Sequence, residues 1–125
     1  MARILVIDDE APLRETLALA LVTANHRVDQ AADGKRALDF LRANAVDLVI
    51  TDLVMPDQDG FETIMALRHL FPALPVIAMS GAWPSARLYL DIAARLGVRR
   101  TLAKPFTVGV LLNAIDDVLE RVGVA

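Results

Sequence analysis

Along the 125-residue chain, short runs in which every residue is apolar alternate with longer stretches in which apolar residues return every three or four positions. The first pattern suits strands covered on both faces of a sheet and the second suits amphipathic helices, so the alternation predicts a parallel sheet wrapped by helices. Ile4-Leu5-Val6-Ile7, Leu48-Val49-Ile50 and Val76-Ile77-Ala78-Met79 are apolar throughout and are expected at the centre of that sheet. Segments 26–31 and 98–103 mix polar with apolar residues, as edge strands do. Helices are expected over about 12–24, 34–43 and 61–70, then after Pro84 and after Thr107. Leu17 and Leu21, then Ala37, Leu38 and Leu41, then Phe61, Ile64 and Leu67 mark the inward faces of the first three. Leu88, Ile92 and Leu96 recur at four-residue spacing in the fourth, and Leu111, Ile115, Val118 and Val122 face inward in the fifth. Val108, Leu112 and Leu119 fall partly outside that face, an excess that an interface would use.

Local signals agree with these limits. Pro12 sits near a first turn, where its missing N–H costs nothing; Pro72 and Pro75 stop the third helix; Gly97 suits a helix C′ position and Thr107 an N-cap. With right-handed crossovers, two edge and three central strands satisfy the order 2-1-3-4-5, a flavodoxin-like doubly wound α/β fold made as one unit over residues 1–125. No internal repeat or low-complexity stretch interrupts it.

Composition narrows the function classes. The chain is 55% hydrophobic, with a mean hydropathy of +0.45, yet its longest apolar stretches run only four to six residues. A spanning helix needs about twenty in a row, so no membrane segment is expected. Two acids interrupt the N-terminus where a signal peptide would continue, which points to the cytoplasm. The absence of cysteine excludes thiol catalysis and thiolate metal sites. A net charge of −3 and a lone basic pair, Arg99-Arg100, do not make a nucleic-acid-binding face.

The chemistry gathers where the strands end. Asp8 and Asp9 follow the first, Asp52 the third, Ser80 the fourth and Lys104 the fifth. Taken singly, each has an ordinary structural explanation: an aspartate caps a helix, a serine holds a turn, and a lysine before proline is solvated. Together they converge, because open parallel sheets place ligand sites at the carboxyl ends of their strands, beside the switch in strand order. Three carboxylates in one crevice repel one another unless a cation intervenes. An all-oxygen set with room for water and phosphate oxygens suits Mg²⁺ better than a closed Ca²⁺ cage. Lys104 and the Ser80 hydroxyl are donors for an anion, and a phosphoryl group satisfies both halves of the site. Gly81 leaves room beside Ser80, and Gly60 is the residue a tight turn between strand and helix requires.

Asp8-Asp9, the segment from Asp52 through Pro56 and Asp57 to Gly60, Ser80-Gly81 and Lys104-Pro105-Phe106, in this order, make the chain resemble the receiver domain of two-component response regulators, a CheY-like family, over nearly its full length. The resemblance implies that Asp52 is the phosphoacceptor and that Asp8, Asp9, Asp52 and the backbone carbonyl of Val54 hold Mg²⁺. It implies that Ser80 and Lys104 bind the phosphoryl group and that the Lys104–Pro105 bond is cis. The donor would be a sensor histidine kinase or histidine phosphotransfer protein docking on Pro12, Leu13, Leu17, Pro105 and Phe106. Output would pass to a downstream protein target through the fourth helix, fifth strand and fifth helix, where Leu88, Tyr89, Arg99, Arg100, Leu112 and Leu119 are candidates, in a monomer or weak homodimer. One position departs from the family: Thr101 stands where a switching Tyr or Phe is usual, so the switch is expected to rest on Ser80 and the segment to Trp83. Val54 and Ala82 are expected to flank the phosphoryl group and to position attacking water poorly.

The expectation is thus a stand-alone receiver with no output domain, catalysing only its own phosphorylation and dephosphorylation. A degenerate or phosphate-sink scaffold and a magnesium-dependent phosphatase with an aspartate nucleophile are the alternatives. The phosphatase would need a second aspartate two residues after Asp52, where Val54 stands. A flavodoxin would meet its flavin phosphate with Asp8-Asp9-Glu10, which repels it.

Overall fold

In the computed structural model, which describes residues 1–53, 60–81 and 86–123, the apolar runs form the strands β1 (Arg3–Ile7), β2 (Arg27–Ala31), β3 (Leu48–Asp52), β4 (Val76–Ser80) and β5 (Arg100–Ala103). They build one parallel sheet in the order β2-β1-β3-β4-β5. Every residue of β3 and β4 is buried, whereas β2 and β5 carry exposed residues at the edges. The helices are α1 (Ala11–Thr23), α2 (Gly34–Ala43), α3 (Gly60–Leu70), α4 (Ala86–Arg95) and α5 (Val108–Arg121). Among the described residues no helix is long and apolar enough to cross a membrane.

Strand periodicity divides the core in two. Ile4, Val6 and Ile50 point to the face covered by α1 and α5, where Leu17, Leu21 and Leu111 meet them. Leu5, Ile7 and Val49 point to the opposite face, under Leu41 of α2, Ile64 of α3 and Ala93 of α4. This two-sided burial accounts for the high hydropathy without a membrane segment. Away from the strand carboxyl ends, Arg3 fastens β1 to its neighbours: its Nε lies 2.8 Å from Asp29 Oδ2, its N–H donates to Asp47 at 2.8 Å, and its guanidinium sits over the Phe40 ring.

The caps agree with the sequence. Thr107 accepts a hydrogen bond from the Val110 N–H, Gly97 has φ +98° beyond α4, and Asp33 caps α2 through the Arg36 N–H. Two helix faces differ from expectation. In α4, Leu88 is 60% and Ile92 38% exposed, and the row facing the core is Tyr89, Ala93 and Leu96. The small Ala93 lets the helix approach the sheet, while Tyr89 packs edge-on against Phe61 of α3 with ring centroids 5.7 Å apart. In α5, Leu119 is buried and Val122 only half-buried, because the inward stripe spans Ala114 and Leu119 as well as the single row predicted. The candidate output face is correspondingly smaller: Leu119 belongs to the core, and Tyr89 and Leu112 pack inward. Leu88, Arg99 and Arg100 remain at the surface, Arg100 paired with Asp117 at 3.0 Å.

Candidate functional site

Each of four strands delivers a functional side chain to the same edge of the sheet. Asp8 follows β1, Asp52 closes β3, Ser80 closes β4 and Lys104 follows β5. Backbone bonds just past the strands keep these ends level. Asp8 N–H donates to the Ala31 carbonyl at 3.2 Å, Leu53 N–H to that of Met79 at 2.9 Å, and Lys104 N–H to that of Ser80 at 2.9 Å. The Lys104–Pro105 peptide bond is cis, as the resemblance implies.

Asp8, Asp52 and Ser80 are buried, and Asp9 is exposed at the rim. Carboxylate oxygens of Asp8, Asp9 and Asp52 all lie within 4.8 Å of one another. Lys104 reaches in from β5, its Nζ 2.8 Å from Asp52 Oδ2 and 3.6 Å from Asp8 Oδ2. Asp8 Oδ1 accepts the Glu10 N–H at 3.0 Å, while Oδ2 is buried and accepts no hydrogen bond among the described residues. A buried carboxylate oxygen without a donor, beside two further carboxylates, is a donor set that fits a hard divalent cation.

Burial raises the pKa of Asp8, with the charges of Asp52 and Asp9 adding to it against the opposing pull of the Glu10 N–H and Lys104. For Lys104, burial acts to lower the pKa, but the hydrogen bond and charge of Asp52, with Asp8 and Glu10 behind it, raise it overall. The signs follow from linkage. Ionised Asp8 costs stability at neutral pH, a cost that shrinks as pH falls below its raised folded value and is gone below its unfolded value; the contribution of Lys104 is full below its unfolded value and is lost as pH rises through its raised folded one. Asp8→Asn should therefore raise the melting temperature of the metal-free protein at pH 7, by a margin that shrinks on acidification, as a pH series of thermal melts would read.

Both glycines at the site serve close approach. A Cβ on Gly60 would lie 2.4 Å from the Asp52 carbonyl oxygen and 2.5 Å from Leu53 Cα, so space rather than a turn conformation demands glycine there. At Gly81 the neighbour is Lys104 itself, whose Cβ and Cδ would stand 3.1 and 3.3 Å from an added Cβ. The lysine reaches Asp52 across the space a side chain would fill.

A groove of about 660 Å³ opens from Asp52, Gly81 and Lys104 onto the surface between α1 and α5. Leu13, Leu17, Pro105 and Phe106 line it as expected, with Leu17 as buried floor, but Pro12 is exposed and does not. Val108, part of the apolar excess noted in α5, lines it too, and Glu10, Thr16 and Leu111 were not anticipated there. A second concavity of about 690 Å³, between Asn44 and Leu74, holds no comparable set of functional groups and lies away from this edge. Thr101 pairs in register with Ala78 and is half-exposed on β5. Val54, Asp57, Ala82 and Trp83 lie outside the described residues. Sequence reasoning also missed Arg14, whose Nη1 donates to the Asp8 carbonyl at 2.7 Å. Its signal was available: it is the one basic residue in the α1 segment.

A family model described as the response regulator receiver domain matches residues 4–116. The chain is similar to the transcriptional regulatory protein GlrR of Escherichia coli, 35% identical over 122 residues that make up 96% of this chain and 27% of that protein. It is similar to response regulator MprA of Mycolicibacterium vanbaalenii, 33% identical over 119 residues, or 95% of this chain and 51% of that protein. It thus spans between about a quarter and a half of the length of these curated relatives. Among solved structures it matches a response regulator receiver domain protein from Clostridium thermocellum with a TM-score of 0.89 and 28% identity, covering 97% of this chain and 96% of that one.

Proposed function

Because the chain belongs to the response regulator receiver family of two-component systems, we propose that Asp52 accepts a phosphoryl group from a phosphohistidine and that this modification switches its affinity for a protein target. The observation that carries the reading is the buried Asp52 carboxylate, held by Lys104 at 2.8 Å inside a cluster of three carboxylates at the mouth of a groove. A carboxylate oxygen of Asp52 attacks phosphorus in line; the O–P bond forms as the P–N bond breaks, the imidazole leaves, and an acyl phosphate remains. Lys104 is placed to exchange its bond with Asp52 for one with a phosphoryl oxygen, and Ser80 offers its hydroxyl to another. Asp8, Asp9 and Asp52, with the carbonyl of Val54, would hold Mg²⁺. When bound, it neutralises charge on the phosphoryl oxygens and relieves repulsion among the carboxylates. The chain turns over no separate substrate; it catalyses its own modification and its reversal.

The groove supports docking of a sensor kinase or phosphotransfer protein, since its apolar walls lead to the reactive carboxylate. Output leaves by another route. With Thr101 in place of an aromatic ring, it passes through the connection that starts at Ser80 and leads to α4. Incubation with acetyl phosphate tests the reading. The protein should gain the mass of one phosphoryl group with Mg²⁺ and none in excess EDTA; no gain under either condition, or equal gain in both, would contradict it.

A further inference from the structure

Arg14 uses its guanidinium in an unusual way. It extends from α1 beside the acidic cluster, yet among the described residues no carboxylate pairs with it. Its acceptors among the described residues are both uncharged: the backbone carbonyl of Asp8, 2.7 Å from Nη1, and the side-chain oxygen of Gln30 on β2, 3.1 Å from Nε. We propose that Arg14 is a positioning residue for the metal site, holding the peptide plane between Asp8 and Asp9 so that the exposed Asp9 carboxylate turns toward Asp8 and Asp52. The proposal rests on the reading of Asp8 and Asp9 as ligands of a divalent cation.

Asp8 is otherwise held from all sides. Its N–H donates to Ala31, its Oδ1 accepts from the Glu10 N–H, and its carbonyl accepts from Arg14, leaving Oδ2 directed into the cluster. Among the described residues nothing restrains Asp9 in this way; the preceding peptide plane determines where its side chain starts. Gln30 holds the other side of the guanidinium, so the two-point grip spans α1, the end of β1 and β2. Lysine could make only one of these contacts at that geometry.

The sign of the effect separates this role from a simple charge effect. A cation near a metal site repels the metal, so deleting an idle arginine should tighten Mg²⁺ binding. Deleting a positioning arginine should weaken it, and partners that orient metal ligands typically alter affinity by about 10- to 100-fold. The experiment is calorimetric titration of Mg²⁺ into wild type, Arg14→Ala, Arg14→Lys and Gln30→Ala, with Arg3→Ala as a control whose ion pair lies far from the site. Arg14→Ala should raise Kd by about 10-fold or more, Arg14→Lys and Gln30→Ala should raise it less, and Arg3→Ala should lower thermal stability without moving Kd. Unchanged or tighter binding in Arg14→Ala would overturn the proposal. If that variant does not fold, unchanged binding in both Arg14→Lys and Gln30→Ala would do so. A wild type that binds no Mg²⁺ removes the metal site itself and this role with it.

Discussion

Gly60→Ala should lower the melting temperature by roughly 10 °C or more, reflecting a loss on the order of 3 kcal/mol. The added methyl would press directly against the Asp52 carbonyl oxygen and Leu53 Cα, closer than any van der Waals contact allows. All the obstructing atoms are backbone, so no rotamer change can relieve the clash. Either the α3 terminus moves away from β3, breaking the 2.9 Å bond from Gly60 N–H to the Leu53 carbonyl, or the end of β3 shifts with Asp52 on it. Phosphoryl uptake should therefore fall along with stability. Gly109→Ala provides the contrast: near the start of α5 its Cβ would meet nothing closer than Thr107 Oγ1 at 3.8 Å. It should stabilise by about 0.5 kcal/mol through the better helix propensity of alanine. Thermal melts of both variants decide the matter; equal behaviour would contradict the packing account.

Lys104→Met should produce the second large effect, and one that depends on metal. The substitution retains most of the apolar stem that crosses Gly81 but removes the ammonium between Asp52 and Asp8. Two buried carboxylates are then left facing each other. Removing one partner of a buried pair costs about 3–5 kcal/mol in a sealed interior, and the partly open mouth of this site should reduce that to about 2 kcal/mol, or roughly 5–10 °C. Saturating Mg²⁺ should restore most of the loss, because the cation replaces the missing positive charge and binds only the folded chain. The rise in melting temperature on adding Mg²⁺ should consequently be larger in Lys104→Met than in wild type. A variant that melts like wild type without metal would show that the ion pair contributes little.

The central strands were legible because Ile4 to Ile7, Leu48 to Ile50 and Val76 to Met79 are apolar at every position, a pattern that only two-sided cover explains. The site was legible for a related reason: parallel strands all present their carboxyl ends to one edge, so finding Asp8, Asp52, Ser80 and Lys104 at strand ends amounts to finding them together. Helix orientation was less legible. Spacing alone placed Leu88 and Ile92 inward in α4, whereas the close approach allowed by Ala93 and the ring contact between Tyr89 and Phe61 rotate that row outward. Neither is visible before the neighbours are in place. Gly60 and Gly81 were noticed, but for turn geometry and open access; their function is to admit a backbone and a lysine stem, which depends on contacts distant in sequence. Arg14 was visible as the one basic residue of α1, but its acceptors are a main-chain carbonyl and a glutamine on another strand, and no charge pattern in the sequence assigns it to them.

The assignment of Asp52 as the nucleophile is tested most directly by exposing wild type and Asp52→Asn to acetyl phosphate with Mg²⁺ and comparing intact masses. Asparagine occupies nearly the same volume but is not a nucleophilic carboxylate. The wild type should gain one phosphoryl group and Asp52→Asn none. A gain of the same size in both would place the modification on another residue and contradict the account.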